Sequence, residues 1–547
     1  MKSTAYAYLL LTIIPLGLAG PISPGLSPAK EPDIANKDAT ETYLAVISDL
    51  EKRSWDDVFA DMGYDHDKLK RLPASAEFSA FGHYSRAFTL RMSEAEKRHI
   101  ESFPHIAYVE KNHEYSPPAP VIHKDVPGSH LPYEPRFVKM GSTPDKELGK
   151  RKDCPQGNNG GNASPYASYG NTYKTTPDNN AAANNNYNPA AANNYNTGAT
   201  DNNSNAVTTV DTNTTDNNNS VATAVDANTA NNSTSQEPKD VKYSQQQQAP
   251  YPLERISNPQ KINQNGRRVT DLSFTYTFDD NSGAGVDVYD LDSGININHV
   301  EFEGRAKHLF SVFGQDFEDR FGHGTHTAGT IGSRAYGVAK KVNIFNCRVL
   351  DAQNRGNAAW YSQGLEAALK NHEQRKNSPD FKGSVVNMSF GGDNSQYFFQ
   401  LIQRALQSGM HISASAGNEG SDACSVYPAA WSLQTALISV GATDINDNRW
   451  ESSNYGRCVT VHAPGHYIVS TYNQGPQSKT YMSGTSMSAP IVSGLIADLL
   501  PRFPEYKLNP MGMKQFLERN GVRDIIRGAS AGNIMVSNMY GRKTLPE

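Results

Sequence analysis

The spacing of apolar residues changes character along this chain, and each change marks a different kind of segment. From about Tyr251 onward, short apolar runs recur: "GVDVYDL", "VNIFNCRVL", "GSVVNMSF", "MHISASA" and "ALISVGA". Between them stand stretches with helical spacing, such as "AAWYSQGLEAALKNHEQ" and "SQYFFQLIQRALQSG". Short runs bounded by turn residues read as strands, and the longer periodic stretches as amphipathic helices. Their alternation predicts an α/β domain with a mainly parallel sheet and helices on both faces. In such sheets functional groups follow the carboxyl ends of strands.

A smaller unit is expected over residues 42–116. "TYLAVISDL" and "HIAYVEKNHEY" alternate as strands do, and "MSEAEKRHIESF" offers Ser93 and Glu96 as a capping box at a helix start. This is the pattern of a small α+β module. Between the units, residues 117–249 are dominated by Asn, Ala and Thr, with almost no Leu, Ile or Phe. Such a segment buries too little apolar area to offset its chain entropy, so the pattern predicts a disordered Asn-rich linker. At the N-terminus, one Lys, an apolar stretch from about Ala5 to Leu18 and then small residues are laid out as a signal peptide cut after Ala19. The stretch is too short for a spanning helix, so no membrane anchor is expected.

Composition sharpens this division. A length of 547 residues implies more than one folded unit, and 37% hydrophobic content is low for a chain folded throughout. The mean hydropathy of −0.61 agrees. A formal charge of −5 with no long Lys/Arg block gives no electrostatic case for nucleic acid. The linker carries glycosylation sequons at Asn162, Asn202, Asn213, Asn218, Asn231 and Asn232, whereas the sequon at Asn387 lies in an apolar strand and is expected to stay unused.

Candidate chemistry centres on "YMSGTSMSAPIVSGLIADLL", residues 481–500, where Ser486 reads either as part of a helix start or as a nucleophile. Alone, the helix start is the better reading. A nucleophilic serine needs an imidazole to take its proton, a carboxylate to orient that imidazole, and a donor to the developing oxyanion. Asp292 ends the strand in "VDVYDLDSGIN", His323 sits in the Gly-rich "FGHGTHTAGTIG", and Asn418 follows a strand in "SASAGNEG". Each has an ordinary explanation by itself, as a turn Asp, a loop His and a turn Asn. A zinc site at "HGTH" is not supported, because the histidines are three apart without the glutamate of the zincin motifs.

Together, "DLDSGININHVEFEGRA", "GHGTHTAGTIGSRAYGVAKK", "NMSFGG", "SASAGNEGSDAC", "SSNYGRC" and "SGTSMSAP", in the order Asp, His, Ser, resemble the subtilisin-like serine peptidases, specifically the fungal proteinase K and cerevisin branch. The resemblance covers about 255–540. It implies a secretory-pathway serine endopeptidase, extracellular or vacuolar, in which Ser486 attacks, His323 serves as base and then acid, Asp292 orients it, and Asn418 with the Ser486 N–H holds the oxyanion. It further implies substrate-binding strands at Ser389, Phe390, Gly391 and at Ser413, Ala414, Ser415, Gly417, with a broad preference for apolar or aromatic residues before the cut. Residues 42–116 resemble the family's inhibitory prodomain, so the chain is expected to be a monomeric zymogen acting on polypeptides.

Cys424 and Cys458 stand where cerevisin-like enzymes place a disulfide. Cys347 is expected as a buried thiol, and Cys154 falls in the linker with its pairing open. Proteinase K-like enzymes take an acidic calcium ligand where this chain has Thr460, which argues against a calcium site at that position while calcium binding stays open, and no other cofactor is expected. Maturation at the dibasic Lys150–Arg151 and autoprocessing near Ser116 or further downstream both remain open. A second reading makes the peptidase fold a wall- or matrix-associated binding scaffold for the glycosylated tract. A kexin-like processing enzyme is disfavoured, since no acidic cluster awaits a basic substrate residue.

Overall fold

Strand β1 (Glu41–Ile47) opens the smaller unit and is followed by helices α1 (Trp55–Asp61) and α2 (His66–Lys70), strands β2 (Ser79–Phe81) and β3 (Ala87–Met92), helix α3 (Glu94–Glu101) and strand β4 (Ile106–Lys111). The computed structural model describes residues 41–70, 78–115, 120–123, 135–140 and 241–540. The expected signal peptide, Lys150, Arg151, Cys154 and the sequons from Asn162 to Asn232 lie outside the described residues. The four strands form an antiparallel sheet in the order β2-β3-β1-β4. Ser93 caps α3, and Glu96 reaches back to complete the expected capping box. One face of the sheet packs Tyr43, Ala45, Phe88 and Leu90 over Phe59 and Ile100. Leu44 and Val46 on the other face join a core contributed by the larger domain. Both faces of β1 are therefore buried.

Four strands come next: β5 (Glu114–Tyr115), β6 (Val121–His123), β7 (Arg136–Lys139) and β8 (Tyr243–Ala249). The last three fall inside the stretch expected to be a disordered linker, so its ends are corrected. Their order does not come from apolar content, as "YSQQQQA" in β8 makes plain. It comes from backbone pairing along strands of the larger domain: β6 with a strand introduced below, and β7 and β8 with each other and with β9. A composition argument counts buried side chains and misses this kind of edge addition.

The larger domain continues with α4 (Tyr251–Ser257), β9 (Phe274–Asp279), β10 (Val286–Asp292), β11 (Ala306–Ser311), α5 (His323–Gly332), β12 (Asn343–Arg348), β13 (Gly356–Asn357), α6 (Ala358–Arg375), β14 (Gly383–Met388), α7 (Gln396–Gln407) and β15 (His411–Ser415). Then follow β16 (Ile438–Thr443), β17 (Val461–Pro464), β18 (Ile468–Thr471), β19 (Lys479–Ser483), α8 (Thr485–Leu499), α9 (Pro510–Asn520), β20 (Val522–Arg523) and β21 (Ile534–Met535). The central sheet has nine strands in the order β11-β12-β10-β14-β15-β16-β17-β21-β20, parallel except for β20. This is the α/β architecture expected from the sequence.

Alternation within the strands decides what each face meets. Val286, Val288, Ile344 and Val385 face α5 and α8, while Tyr289, Leu291, Val386 and Met388 face α6 and α7. Helix α8 is buried along its whole length, which its small and apolar composition on every side permits. A helix buried on all sides has little freedom to shift, so its first turn is a rigid platform.

Candidate active site

Strand β10 delivers Asp292 at its carboxyl end, α5 begins at His323, and α8 begins at Thr485 with Ser486 next. His323 Nδ1 lies 2.7 Å from Asp292 Oδ1 and 2.9 Å from Oδ2. The Ser293 N–H also donates to Asp292, at 2.7 Å. Burial pushes the His323 imidazole towards neutrality, but the Asp292 charge and hydrogen bond, with Asp290 and Asp319 behind them, outweigh it and raise the pKa above its ordinary 6.5. His323 Nε2 is buried and unpaired. Ser486 Oγ instead donates to the Ser389 carbonyl at 3.0 Å. The Ser486 hydroxyl thus rests on a neighbouring carbonyl and is not hydrogen-bonded to His323; such slack is common before substrate binds.

Asn418 is held by its oxygen. Oδ1 accepts from the Thr485 N–H and the Thr485 hydroxyl, both at 2.8 Å, which leaves the amide nitrogen as the group available to donate beside the start of α8. The preceding Gly417 has φ +100°, with Asn454 and Glu419 filling the space a Cβ would need, so only glycine fits this turn.

Two buried acids that sequence reading did not single out organise these residues. Asp319 accepts from Ser293 Oγ, from the Gly322 N–H and from both the N–H and hydroxyl of Thr325, so it fixes the loop that presents His323. Asp290, two residues before Asp292 on the same face of β10, accepts from Asn387 Nδ2 and Thr327 Oγ1, each at 2.8 Å. Burial and the Asp292 charge hold its carboxyl well above the usual carboxylate range. Asn387 also donates to Ser389 Oγ, which donates to the Ser486 carbonyl, both at 3.0 Å. A hydrogen-bonded path therefore runs from Asp290, beside Asp292, to the peptide of Ser486. The period-two spacing of Asp290 and Asp292 was the available signal.

Other expected residues take different places. Ser389, Phe390 and Gly391 follow β14 directly into the site, and Ser415 Oγ donates to the Phe390 carbonyl at 3.2 Å. Ser413 and Ala414, expected to pair with substrate, lie within the sheet instead. Their backbones pair with β14 and β16, and Ser413 Oγ donates to the Ala489 carbonyl at 3.0 Å. They position α8 and do not present a free edge. Tyr361, Phe390, Phe398 and Tyr427 line a concavity beside Asn357 and Gly392. His326 hydrogen-bonds the Ile468 carbonyl, and burial drives its pKa down to about 3, so it is a neutral structural residue.

Cys424 and Cys458 are joined in a disulfide, and Cys347 is a free, buried thiol whose pKa burial pushes far up. Thr460 Oγ1 accepts from the Ser439 N–H at 3.2 Å. Asn387 is fully buried in β14, closed to a glycan.

An Asp–His pair and a serine at a buried helix start, set at strand ends of a parallel sheet in the chain order Asp, His, Ser, define a subtilisin-type hydrolase. Residues 283–542 match the subtilase family, and the chain belongs to it: it is a subtilisin-like serine endopeptidase. It is similar to the subtilisin-like serine protease Rho m 2.0101 of Rhodotorula mucilaginosa, 39% identical over 279 residues that cover 49% of this chain and 81% of that protein. It is also similar to proteinase T of Parengyodontium album, 38% identical over 300 residues covering 54% of this chain and 94% of that one. Cerevisin of Saccharomyces cerevisiae is 38% identical over 300 residues, 52% of this chain and 46% of its own length.

Among the described residues no helix is long and apolar enough to cross a membrane.

Proposed function

We propose that the chain is the zymogen of a secretory-pathway endopeptidase of broad specificity, restrained by residues 42–116. Ser486 Oγ attacks the scissile carbonyl while His323 Nε2 takes its proton; Asp292 stabilises the imidazolium and fixes its tautomer. The Asn418 amide and the Ser486 N–H at the start of α8 receive the oxyanion. His323 then protonates the leaving amine, and water repeats the sequence to release the acyl group. The Tyr361, Phe390, Phe398 and Tyr427 concavity suits an apolar or aromatic side chain upstream of the cut.

The observation that carries the zymogen reading is how the N-terminal module meets this domain. Strand β5 runs antiparallel to β13, with Tyr115 opposite Gly356 and Glu114 opposite Asn357, a two-stranded pairing of the kind an extended substrate makes with an enzyme's backbone. Glu110 accepts from Ser395 Oγ and the Gln396 N–H at the start of α7, and Asn112 accepts from the Ala359 N–H at the start of α6. A leader sequence and a disulfide both fit an oxidising compartment. The test is a fluorophosphonate probe, which should label the mature form at Ser486; absence of labelling after removal of residues 42–116 sinks the reading. Ser486→Ala should accumulate as an uncut precursor if the first cut is autocatalytic.

A further inference from the structure

Strand β6 runs antiparallel to β19, the strand that leads directly into Ser486, with Val121 opposite Ser483, Ile122 opposite Met482 and His123 opposite Tyr481. Strand β5, a few residues upstream, lies along β13. The first pairing lies on the strand that ends three residues before Ser486, and the second lies beside the concavity lined by Asn357, Tyr361 and Phe390. We infer that Val121–His123 is a strap on the leaving-group side that outlasts the N-terminal module, and that peptides gain full access only when the strap is severed from the catalytic domain. This rests on the endopeptidase reading above.

Among the described residues, the strap's contacts are with the catalytic domain. The His123 ring stacks on Tyr467 at 3.7 Å with 16° between planes, and its Nε2 lies 2.8 Å from Ser483 Oγ. Ser483 Oγ also accepts from the Tyr467 N–H at 2.8 Å, so shelf and strap share one hydroxyl. Ile122 packs on the cluster of Met482, Met487, Ile468 and Tyr251. A second anchor lies downstream. Strand β7 pairs with β8 from Arg136 opposite Gln247 to Lys139 opposite Ser244, the Met140 N–H donates to the Tyr243 carbonyl at 2.7 Å, and Phe137 sets its edge against Phe278. Strand β8 is in turn paired to β9.

Hydrolysis of a peptide bond between Tyr115 and Val121, consuming one water, frees the module of β1 to β5 from its covalent link. It does not free Val121, which remains continuous with Tyr243 through the chain and is fastened again by β7. An occupant tethered in this way competes at an effective concentration on the order of millimolar. Substrate residues that follow the cut need the same edge of β19. Severing the tether between β7 and β8 leaves the strap held by non-covalent pairing alone, so it can dissociate.

The experiment uses the full chain with a recognition sequence for a site-specific protease inserted in residues 157–235. After the first cut, Ser486 labelling by a fluorophosphonate and turnover of a fluorogenic peptide with residues on both sides of the scissile bond are followed, before and after the inserted site is cleaved. The expected result is labelling in both forms and at least a tenfold rise in kcat/KM for the peptide on severing, mainly through KM. His123→Gly should give a comparable rise without severing. Equal peptide turnover, within twofold, in intact and severed forms that both label overturns the strap. Absence of labelling in both forms overturns the endopeptidase reading itself, and the strap with it.

Discussion

Replacing Glu110 separates two explanations of how the N-terminal module holds the enzyme. Its carboxylate accepts from the Ser395 hydroxyl at 2.6 Å, from the Gln396 N–H at 2.9 Å and from the Tyr397 N–H. Ser395 itself caps the Phe398 N–H, so Glu110 supplies acceptors for the N–H groups at the start of α7 that the helix's own cap does not reach. In Glu110→Ala the Ser395 hydroxyl and the Gln396 and Tyr397 N–H groups lose this acceptor, the Gln396 N–H at an exposed position. An unmet buried donor costs roughly 1 to 3 kcal/mol, and partial rewetting of the helix end offsets part of the sum, leaving about 2 to 4 kcal/mol. That is an inhibition constant weaker by about 30- to 1000-fold, since about 1.4 kcal/mol is tenfold. The charge is another matter. Burial holds the Glu110 carboxyl above its usual range despite its hydrogen bonds, so ionisation is not what the docked state favours. Glu110→Gln keeps an acceptor for the helix N–H groups and a donor for Ser395 Oγ, and should inhibit within about fivefold of the wild type. The assay is progress-curve inhibition of the mature catalytic domain by added residues 42–115 carrying each substitution, with circular dichroism of the complexes as a folding control. An Ala variant within threefold of wild type, or a Gln variant as weak as Ala, refutes the capping argument.

Asn418→Ala should lower kcat by about 100- to 1000-fold with little change in KM, because only the oxyanion donor is lost; a loss below tenfold in steady-state kinetics counts against the assignment. The His323 pKa is raised because Asp292 stabilises the imidazolium, and catalysis needs the neutral ring, so kcat/KM should climb with pH through a midpoint above 6.5. Asp292→Asn should move that limb to lower pH while cutting kcat by about 10,000-fold, and an unmoved limb would contradict the geometry. Asp290→Asn keeps an acceptor for Asn387 Nδ2 and should cost under about 1 kcal/mol in urea unfolding, whereas Asp290→Ala removes the acceptor of both Asn387 Nδ2 and Thr327 Oγ1 and should cost about 2 to 4. The Cys424–Cys458 bridge spans a separation of 34 residues, and its removal should destabilise the mature domain by about 2 to 4 kcal/mol in the same assay.

Much of the site was legible because catalysis demands residue types that stand out against a parallel sheet. Asp292, His323, Ser486 and Asn418 all follow strands or open helices, and their small neighbours mark the turns. The supporting acids were less visible. Asp290 looks like strand decoration until Asn387 and Thr327 close around it, and those partners lie 97 and 37 residues away in sequence. Ser413 and Ala414 were misplaced for a related reason: apolar alternation identifies a strand without saying whether it lies at an edge or in the middle. The strands β6, β7 and β8 escaped altogether, since "VIH", "RFVK" and "YSQQQQA" owe their order to a partner backbone and not to their own side chains.

The cleft grips its own chain through main-chain pairing at β13 and β19, an interaction any extended peptide can make. Along those backbones its own chain and a foreign peptide pair alike, and the side-chain contacts of Ile122 and His123 add to the pairing of its own segment. Attachment separates them further, because a tethered segment returns to the cleft each time it leaves while a foreign peptide diffuses away. On the proposed zymogen reading, timing of activity would be written in chain connectivity, and moving one scission would change when the protease wakes without altering a single residue that touches substrate.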